Sequence, residues 1–164
     1  MKKLLFVTII LLLLLSACSK SAAPKVEQST SSLPATSTAI TKQDYSEMKI
    51  LLKINGYSFT AALENNKAAK QFFNLIKNEA LTIKLSDYSG FEKVGSLDTT
   101  LTAEDKQITT REGDIVLYNS DSIVIFYGSN TWDYTMLGHI EDVSNLKTAL
   151  GRTDVEVKFE TVNK

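Results

Sequence analysis

The alternation of apolar and polar residues predicts a domain built mainly of short strands. Three runs rich in β-branched and aromatic residues, Ile115 to Tyr118, Ile123 to Tyr127 and Tyr134 to Ile140, are separated by turn residues. We expect the first two runs to pair as a hairpin of buried strands and the third to form another strand. The rest of the fold is expected to pack around this apolar centre.

A second hairpin is predicted around Asn55-Gly56. Residues 48–53 and 57–63 alternate between apolar and polar side chains on either side of this dipeptide. Asn-Gly favours a type I′ turn, which needs positive φ at both central residues. Further alternating strands are predicted at 81–85 and 155–159, and weak strand signals lie between Phe91 and Leu101.

Two helices and one long loop complete the predicted elements. Asn65 or Asn66 can cap a helix that runs to about Asn78. A shorter helix is expected to start at Asp142 or Ser144 and to end at Gly151. The polar segment 102–112 is predicted to be a surface loop.

Seven or eight short strands in antiparallel order, with two short helices, predict a mainly β fold and a small closed barrel. The folded domain is expected to span residues 45–164. A barrel of about eight strands is filled by its own side chains or holds one small ligand.

The amino-terminal residues are predicted to be a targeting segment. Lys2 and Lys3 precede an apolar run, Leu4 to Leu15, which is too short to cross a bilayer of about 30 Å. The sequence Leu15-Ser16-Ala17-Cys18 resembles the lipobox of bacterial lipoproteins. The resemblance implies a signal peptide over residues 1–17, cleavage before Cys18 and a lipid on the Cys18 thiol. An ordinary secretory signal with a chance cysteine is the alternative.

Residues 18–44 are predicted to be a tether. This segment is rich in Ser and Thr and has few apolar side chains, so it cannot bury enough surface to offset the entropy of ordering it. The lipid on Cys18 would hold the domain on the extracytoplasmic side of a cell membrane, and the tether would lift it off the surface.

Composition excludes several classes of function. Removal of residues 1–17 takes away two lysines and no acid, so the formal net charge changes from −1 to −3. A nucleic-acid-binding protein would carry a basic stripe instead. Cys18 is the only cysteine, so the domain has no internal disulfide and no thiol nucleophile. His139 is the only histidine, which excludes a histidine metal cage, and it is expected to be a structural or surface residue. No metal site and no cofactor are predicted.

The order of motifs resembles the bacterial cyclophilin-like domain family. The resemblance is carried by Asp87-Tyr88-Ser89-Gly90-Phe91-Glu92-Lys93-Val94, Gly113-Asp114-Ile115, Ile125-Phe126-Tyr127-Gly128 and Leu137-Gly138-His139-Ile140. It covers about residues 48–160. It implies an eight-stranded barrel with helices closing its ends, in a family largely without an established activity.

The resemblance brings no catalytic residue with it. True cyclophilins use the arginine of a Phe-His-Arg motif to polarise the substrate amide. The two arginines of this chain, Arg111 and Arg152, lie in no such motif. We therefore predict a binding or interaction module, with weak prolyl isomerase activity through Arg111 as the alternative. A purely structural envelope lipoprotein with a solid barrel is the third hypothesis.

An aromatic cluster is the candidate binding site. Trp132 and Tyr134 fall in a loop-like stretch where the core has no evident need of them, and such side chains suit pocket rims. The candidate ligand-binding residues are Tyr88, Glu92, Tyr127, Trp132 and Tyr134, with Tyr118 in the same cluster. The expected ligand is a peptide segment or a small molecule, bound by a monomer. Alternatively these aromatics close the mouth of the barrel, with Glu92 and Lys93 as a structural pair that fixes the nearby turn.

Overall fold

The computed structural model of this chain describes residues 48–162. This range contains two helices and nine strands. The helices are α1 (Lys67–Lys77) and α2 (Leu146–Leu150). The strands are β1 (Lys49–Ile54), β2 (Tyr57–Leu63), β3 (Leu81–Tyr88), β4 (Glu92–Ser96), β5 (Lys106–Thr109), β6 (Asp114–Tyr118), β7 (Ser122–Phe126), β8 (Thr131–Ile140) and β9 (Val155–Thr161).

Eight of these strands form a closed antiparallel barrel. Their order around the wall is β2-β1-β9-β3-β4-β7-β6-β8, and β8 pairs back with β2. The closing pairs are Ala61 with Ile140, Ala62 with His139 and Leu63 with Gly138. The predicted mainly β barrel with two short helices is confirmed.

Local turn and capping chemistry explains the first third of the barrel. Asn55 and Gly56 have φ values of 46° and 82°, as the predicted hairpin turn requires. Asn66 caps α1, since its side-chain oxygen accepts a hydrogen bond of 2.8 Å from the backbone N–H of Ala69. Its amide also donates to the carbonyl of Met136 at 2.6 Å, which ties the start of the helix to β8.

The barrel interior and the helices share one hydrophobic core. Phe72 and Ile76 of α1 and Leu146 of α2 are fully buried among the inward-facing side chains of the strands. Phe72 meets Phe159 of β9 edge to face, with ring centroids 5.4 Å apart. Burial of one such side chain contributes roughly 1.5–3 kcal/mol.

The segment 102–112 was predicted to be a surface loop, but it also contains a strand. Residues 106–109 form β5, which pairs with the first half of β8 and places Ile108 opposite Trp132. The strand predicted from Tyr134 to Ile140 is present but begins earlier, at Thr131, so Trp132 lies in β8 and the prediction of a loop-like stretch there was wrong. The second half of β8 completes the barrel, so this strand belongs to both parts of the structure.

The predicted signal peptide, the lipidated Cys18 and the tether lie outside the described residues. Neither helix in residues 48–162 is long and apolar enough to cross a membrane.

Candidate functional site

A second apolar cluster lies on the outer wall of the barrel. Successive residues of a strand point to opposite faces of the sheet. Ile115 and Ile125 face the interior core, whereas Val116 and Val124, which pair across β6 and β7, belong to the outer cluster. The outer face of this part of the barrel is therefore apolar.

This outer cluster forms the floor of an open cavity of about 430 Å³. That volume falls within the range of small-molecule sites. Side chains from five strands and one turn line it: Tyr88, Glu92, Val94, Tyr118, Val124, Asn130, Trp132 and Tyr134. We call it the outer-wall pocket.

Glu92 is the one ionisable carboxyl group among the lining residues. Its residue is only 6% exposed, and its Oε2 atom has no hydrogen-bond partner among the described residues. Burial penalises the charged form and raises the pKa of this carboxyl from 4.5 to about 7. An unsatisfied buried acceptor of this kind is costly in a folded domain, so a hydrogen bond donated to this carboxyl by a ligand would offset part of that cost.

Aromatic rings form the walls of the outer-wall pocket. The buried ring of Tyr134 packs edge to face against Tyr118, at a centroid distance of 5.9 Å, and against Phe126, at 5.6 Å. The side-chain amide of Asn130 donates a hydrogen bond of 3.0 Å to the Tyr134 hydroxyl. Burial raises the pKa of Tyr134 above its usual value. The wall is thus held in place by packing and by a hydrogen bond.

The rim carries two exposed aromatic residues. Tyr88 is 59% exposed and Trp132 is 57% exposed. Single exposed apolar side chains are common, but these two lie beside the same apolar cavity, and contiguous apolar patches mark interaction sites. A ligand seated in the outer-wall pocket would cover part of both rings.

Four of the five candidate residues from the sequence line the outer-wall pocket, and Tyr127 does not. Tyr127 packs with the interior core, and its hydroxyl donates a hydrogen bond to Asp87. Burial and this hydrogen bond raise the pKa of Tyr127 to about 12. Its side chain lines a different cavity, together with Arg152.

The expected pairing of Glu92 with Lys93 was also wrong. The two residues are neighbours in β4, so their side chains leave opposite faces of the strand. Lys93 is fully buried on the inner side and donates hydrogen bonds to Asp87 Oδ1 at 2.7 Å and to the Thr153 carbonyl at 2.8 Å. The hydrogen bonds from Lys93 and Tyr127 lower the pKa of Asp87.

Tyr118 and Asn130 are lining residues that the sequence did not assign to the site. Tyr118 belongs to the aromatic cluster that the sequence indicates. It follows Val116 by two residues in β6, so both side chains lie on the outer face. Asn130 is one of the turn residues between the second and third predicted runs. Its role depends on the hydrogen bond to Tyr134, which only the folded structure reveals.

The comparison with known families agrees with this architecture. The cyclophilin-like family model matches residues 52–160, which is most of the described domain. The chain belongs to the cyclophilin-like family. No curated protein and no solved structure was found to match it.

Both arginines of this cyclophilin-like domain lie away from the outer-wall pocket. The side chain of Arg111 is 76% exposed, and its Nε atom lies 3.7 Å from Asp114. Arg152 lines the other cavity. His139, the residue that any histidine-based chemistry would need, is paired through Nδ1 with Asp114 at 2.7 Å. The lining residues offer apolar surface, ring faces and one carboxyl acceptor.

Proposed function

We propose that this protein is a membrane-anchored, extracytoplasmic cyclophilin-like lipoprotein whose barrel binds a peptide segment or small ligand without transforming it. The outer-wall pocket carries the proposal. It combines a concave apolar floor, two exposed aromatic residues and one buried carboxyl group whose Oε2 atom has no hydrogen-bond partner within residues 48–162. Few polar groups in a mostly apolar cavity are typical of ligand sites.

The composition of the pocket favours binding over catalysis of prolyl isomerisation. Rotation about a peptide bond faces a barrier of about 18–20 kcal/mol. An enzyme lowers such a barrier with a donor positioned at the atom where charge develops. The arginine that supplies this donor in true cyclophilins has no counterpart among the residues lining the pocket.

Isomerase activity is the alternative, and a protease-coupled assay on the chain purified in detergent separates the two functions. We expect the rate with a proline-containing peptide to equal the uncatalysed rate, because the described residues that line the outer-wall pocket include no lysine and no arginine. Catalysis that is lost in Arg111→Ala would establish the alternative and overturn the proposal.

Ligand binding can be followed through Trp132. The chain contains a single tryptophan, so a change in its emission during a screen of fragments and peptides reports on the outer-wall pocket. For each hit, calorimetry on Trp132→Ala and Tyr134→Ala is expected to show binding weakened by about 30-fold or more, the size of effect seen when an aromatic side chain that a ligand covers is truncated. Tyr57→Ala removes a half-exposed aromatic outside the pocket and serves as the control. Equal affinities in all variants would refute the site.

The membrane anchor is tested by Cys18→Ser. Two or three acyl chains hold a protein on a bilayer, whereas the unmodified domain has no comparable attachment. We expect labelled palmitate to enter the wild-type chain, which should sediment with membranes. The Cys18→Ser variant is expected to take up no label and to lose this membrane attachment. Equal labelling of both proteins would contradict the assignment of Cys18.

A further inference from the structure

The chemistry of the outer-wall pocket indicates the kind of ligand it accepts. Three tyrosines and a tryptophan line the cavity together with the Glu92 carboxyl. Ring faces attract cations through their quadrupole, and the attraction grows when water is excluded. A carboxylate in the same cavity adds a full negative charge once it is ionised.

No positive charge in the described part of the chain offsets Glu92. The lining residues include no lysine and no arginine. The nearest lysine in sequence, Lys93, points to the inner side of the barrel, where Asp87 accepts its hydrogen bond. Buried carboxylates in proteins are normally paired, so an unpaired one beside a cavity indicates a partner that arrives from outside.

The unsatisfied oxygen narrows the choice of cation. Oε2 of Glu92 lacks a hydrogen-bond donor among the described residues. A quaternary ammonium group satisfies the rings but has no N–H to donate, whereas a primary ammonium group carries three donors. A primary ammonium group therefore matches both features of the cavity, the aromatic walls and the carboxyl group with an unsatisfied oxygen.

We propose that the outer-wall pocket binds a primary alkylammonium group, carried by a small amine or by a lysine side chain of a peptide, with Glu92 as the anionic acceptor and Tyr88, Trp132 and Tyr134 as the aromatic walls. This inference rests on the proposed binding function and specifies its ligand class.

Binding should tighten as pH rises through neutrality. Burial raises the pKa of Glu92 to about 7, so the carboxyl is largely neutral below that pH and ionised above it. The other titratable side chains that line the pocket are the phenols of Tyr88, Tyr118 and Tyr134, and burial raises the pKa of Tyr134. The charge of Glu92 also contributes to the raised pKa of Tyr127, which packs with the interior core. If affinity follows the ionised fraction of Glu92, it rises by about tenfold from one pH unit below its pKa to one unit above.

The test is titration of the chain in detergent with three probes, followed by Trp132 emission and by calorimetry. n-Butylamine is the ligand, butan-1-ol is its neutral counterpart, and tetramethylammonium is a cation without N–H donors. We expect n-butylamine to bind at least about tenfold more tightly than either control, because only it satisfies both the rings and Oε2. We also expect its affinity to increase with pH.

Two variants complete the test. Glu92→Gln keeps the shape of the side chain and removes its charge, so it should abolish the preference for the amine over the alcohol. Glu156→Gln, at an exposed position on β9 outside the pocket, should leave that preference unchanged. A tripeptide with a central lysine and its norleucine analogue distinguish the two sources of the group. Tighter binding of the lysine peptide than of n-butylamine assigns the site to peptides, and the reverse assigns it to small amines.

Several results would overturn the inference. Butan-1-ol or tetramethylammonium binding as tightly as n-butylamine would do so, as would amine affinity that falls with rising pH or survives in Glu92→Gln. Failure of n-butylamine and the lysine peptide to bind would do so as well. The proposed binding function is tested separately by the fragment and peptide screen. If a neutral compound bound to the wild type and not to Trp132→Ala, the outer-wall pocket would still be a binding site, for another class of ligand.

Discussion

Replacing Gly138 with valine is expected to destabilise the barrel by more than about 4 kcal/mol, a loss that few point mutations cause. Gly138 lies on β8 opposite Leu63, in the last of the three residue pairs that close the barrel. A Cβ atom at this position would overlap the Ala62 carbonyl oxygen and lie 3.1 Å from Leu63 Cα. Both neighbours are backbone atoms, so the clash cannot be relieved by a change of rotamer.

The expected loss of stability is large because more than one interaction joins β2 to β8 where the barrel closes. Next to the closing pairs, the backbone N–H of Glu64 donates to the Leu137 carbonyl at 2.9 Å. Displacing β2 from β8 would break such bonds and open the interior core to water. Single domains are stable by only about 5–15 kcal/mol, so the variant is expected to be at most marginally folded.

Urea unfolding followed by circular dichroism measures this effect. Gly56→Ala is the control, because Gly56 has a positive φ of 82° but nothing within 4 Å of an added Cβ atom. Its cost is conformational only, about 1 kcal/mol. If Gly138→Val unfolded at the same urea concentration as the wild type, the closure of the barrel between β2 and β8 would be wrong.

The second large effect is expected at Glu92, where substitution by glutamine should stabilise the domain at alkaline pH. Burial raises the pKa of this carboxyl from 4.5 to about 7 in the folded state. Between these values the folded state binds more protons than the unfolded state, so the free energy of unfolding decreases as pH rises. Each unit of pKa shift corresponds to about 1.4 kcal/mol, and the full difference amounts to about 3 kcal/mol.

Glu92→Gln keeps the shape of the side chain but cannot ionise, so it should not lose stability in this pH range. The wild type and the variant are expected to be about equally stable at acid pH and to differ by about 2–3 kcal/mol at alkaline pH. Asp87 and Glu160, whose pKa values are lowered by hydrogen bonds from lysines and, for Asp87, from Tyr127, titrate alike in both proteins and cancel in the comparison.

Urea unfolding of both proteins at a series of pH values measures this difference. Glu156→Gln removes an exposed glutamate from β9 and should follow the wild-type curve. Parallel curves for the wild type and Glu92→Gln would mean that Glu92 is solvated or paired after all.

Local signals in the sequence were sufficient for most of the fold. The Asn55-Gly56 turn, the Asn66 cap and the alternating strands depend on neighbouring residues, and all are present in the structure. Strand β5 could not be predicted in the same way. Its four residues contain one apolar side chain, Ile108, and the strand exists because the first half of β8 is available for pairing.

The candidate site depended on which face each side chain occupies. The sequence indicated an aromatic cluster but not the register of the strands, so it grouped Tyr127 with residues of the opposite face. The contrast between Glu92 and Lys93 follows from alternation once β4 is known to begin at Glu92. No sequence pattern indicates that Glu92 Oε2 lacks a hydrogen-bond partner among residues 48–162, because this depends on the positions of donors in all the neighbouring strands. Lipidation at Cys18 stays a prediction from the lipobox-like motif.

The outer-wall pocket holds a buried carboxyl group, Glu92, whose Oε2 atom has no hydrogen-bond partner in the part of the chain that the structure describes. A ¹³C NMR titration of the Glu92 side-chain carboxyl measures this most directly. We expect the Glu92 carboxyl to titrate with a midpoint of about pH 7, and an alkylammonium ligand should lower this midpoint. A midpoint near 4.5, the ordinary value for glutamate, would show that water or the protein already satisfies the Glu92 carboxyl, and the proposed site would then be wrong.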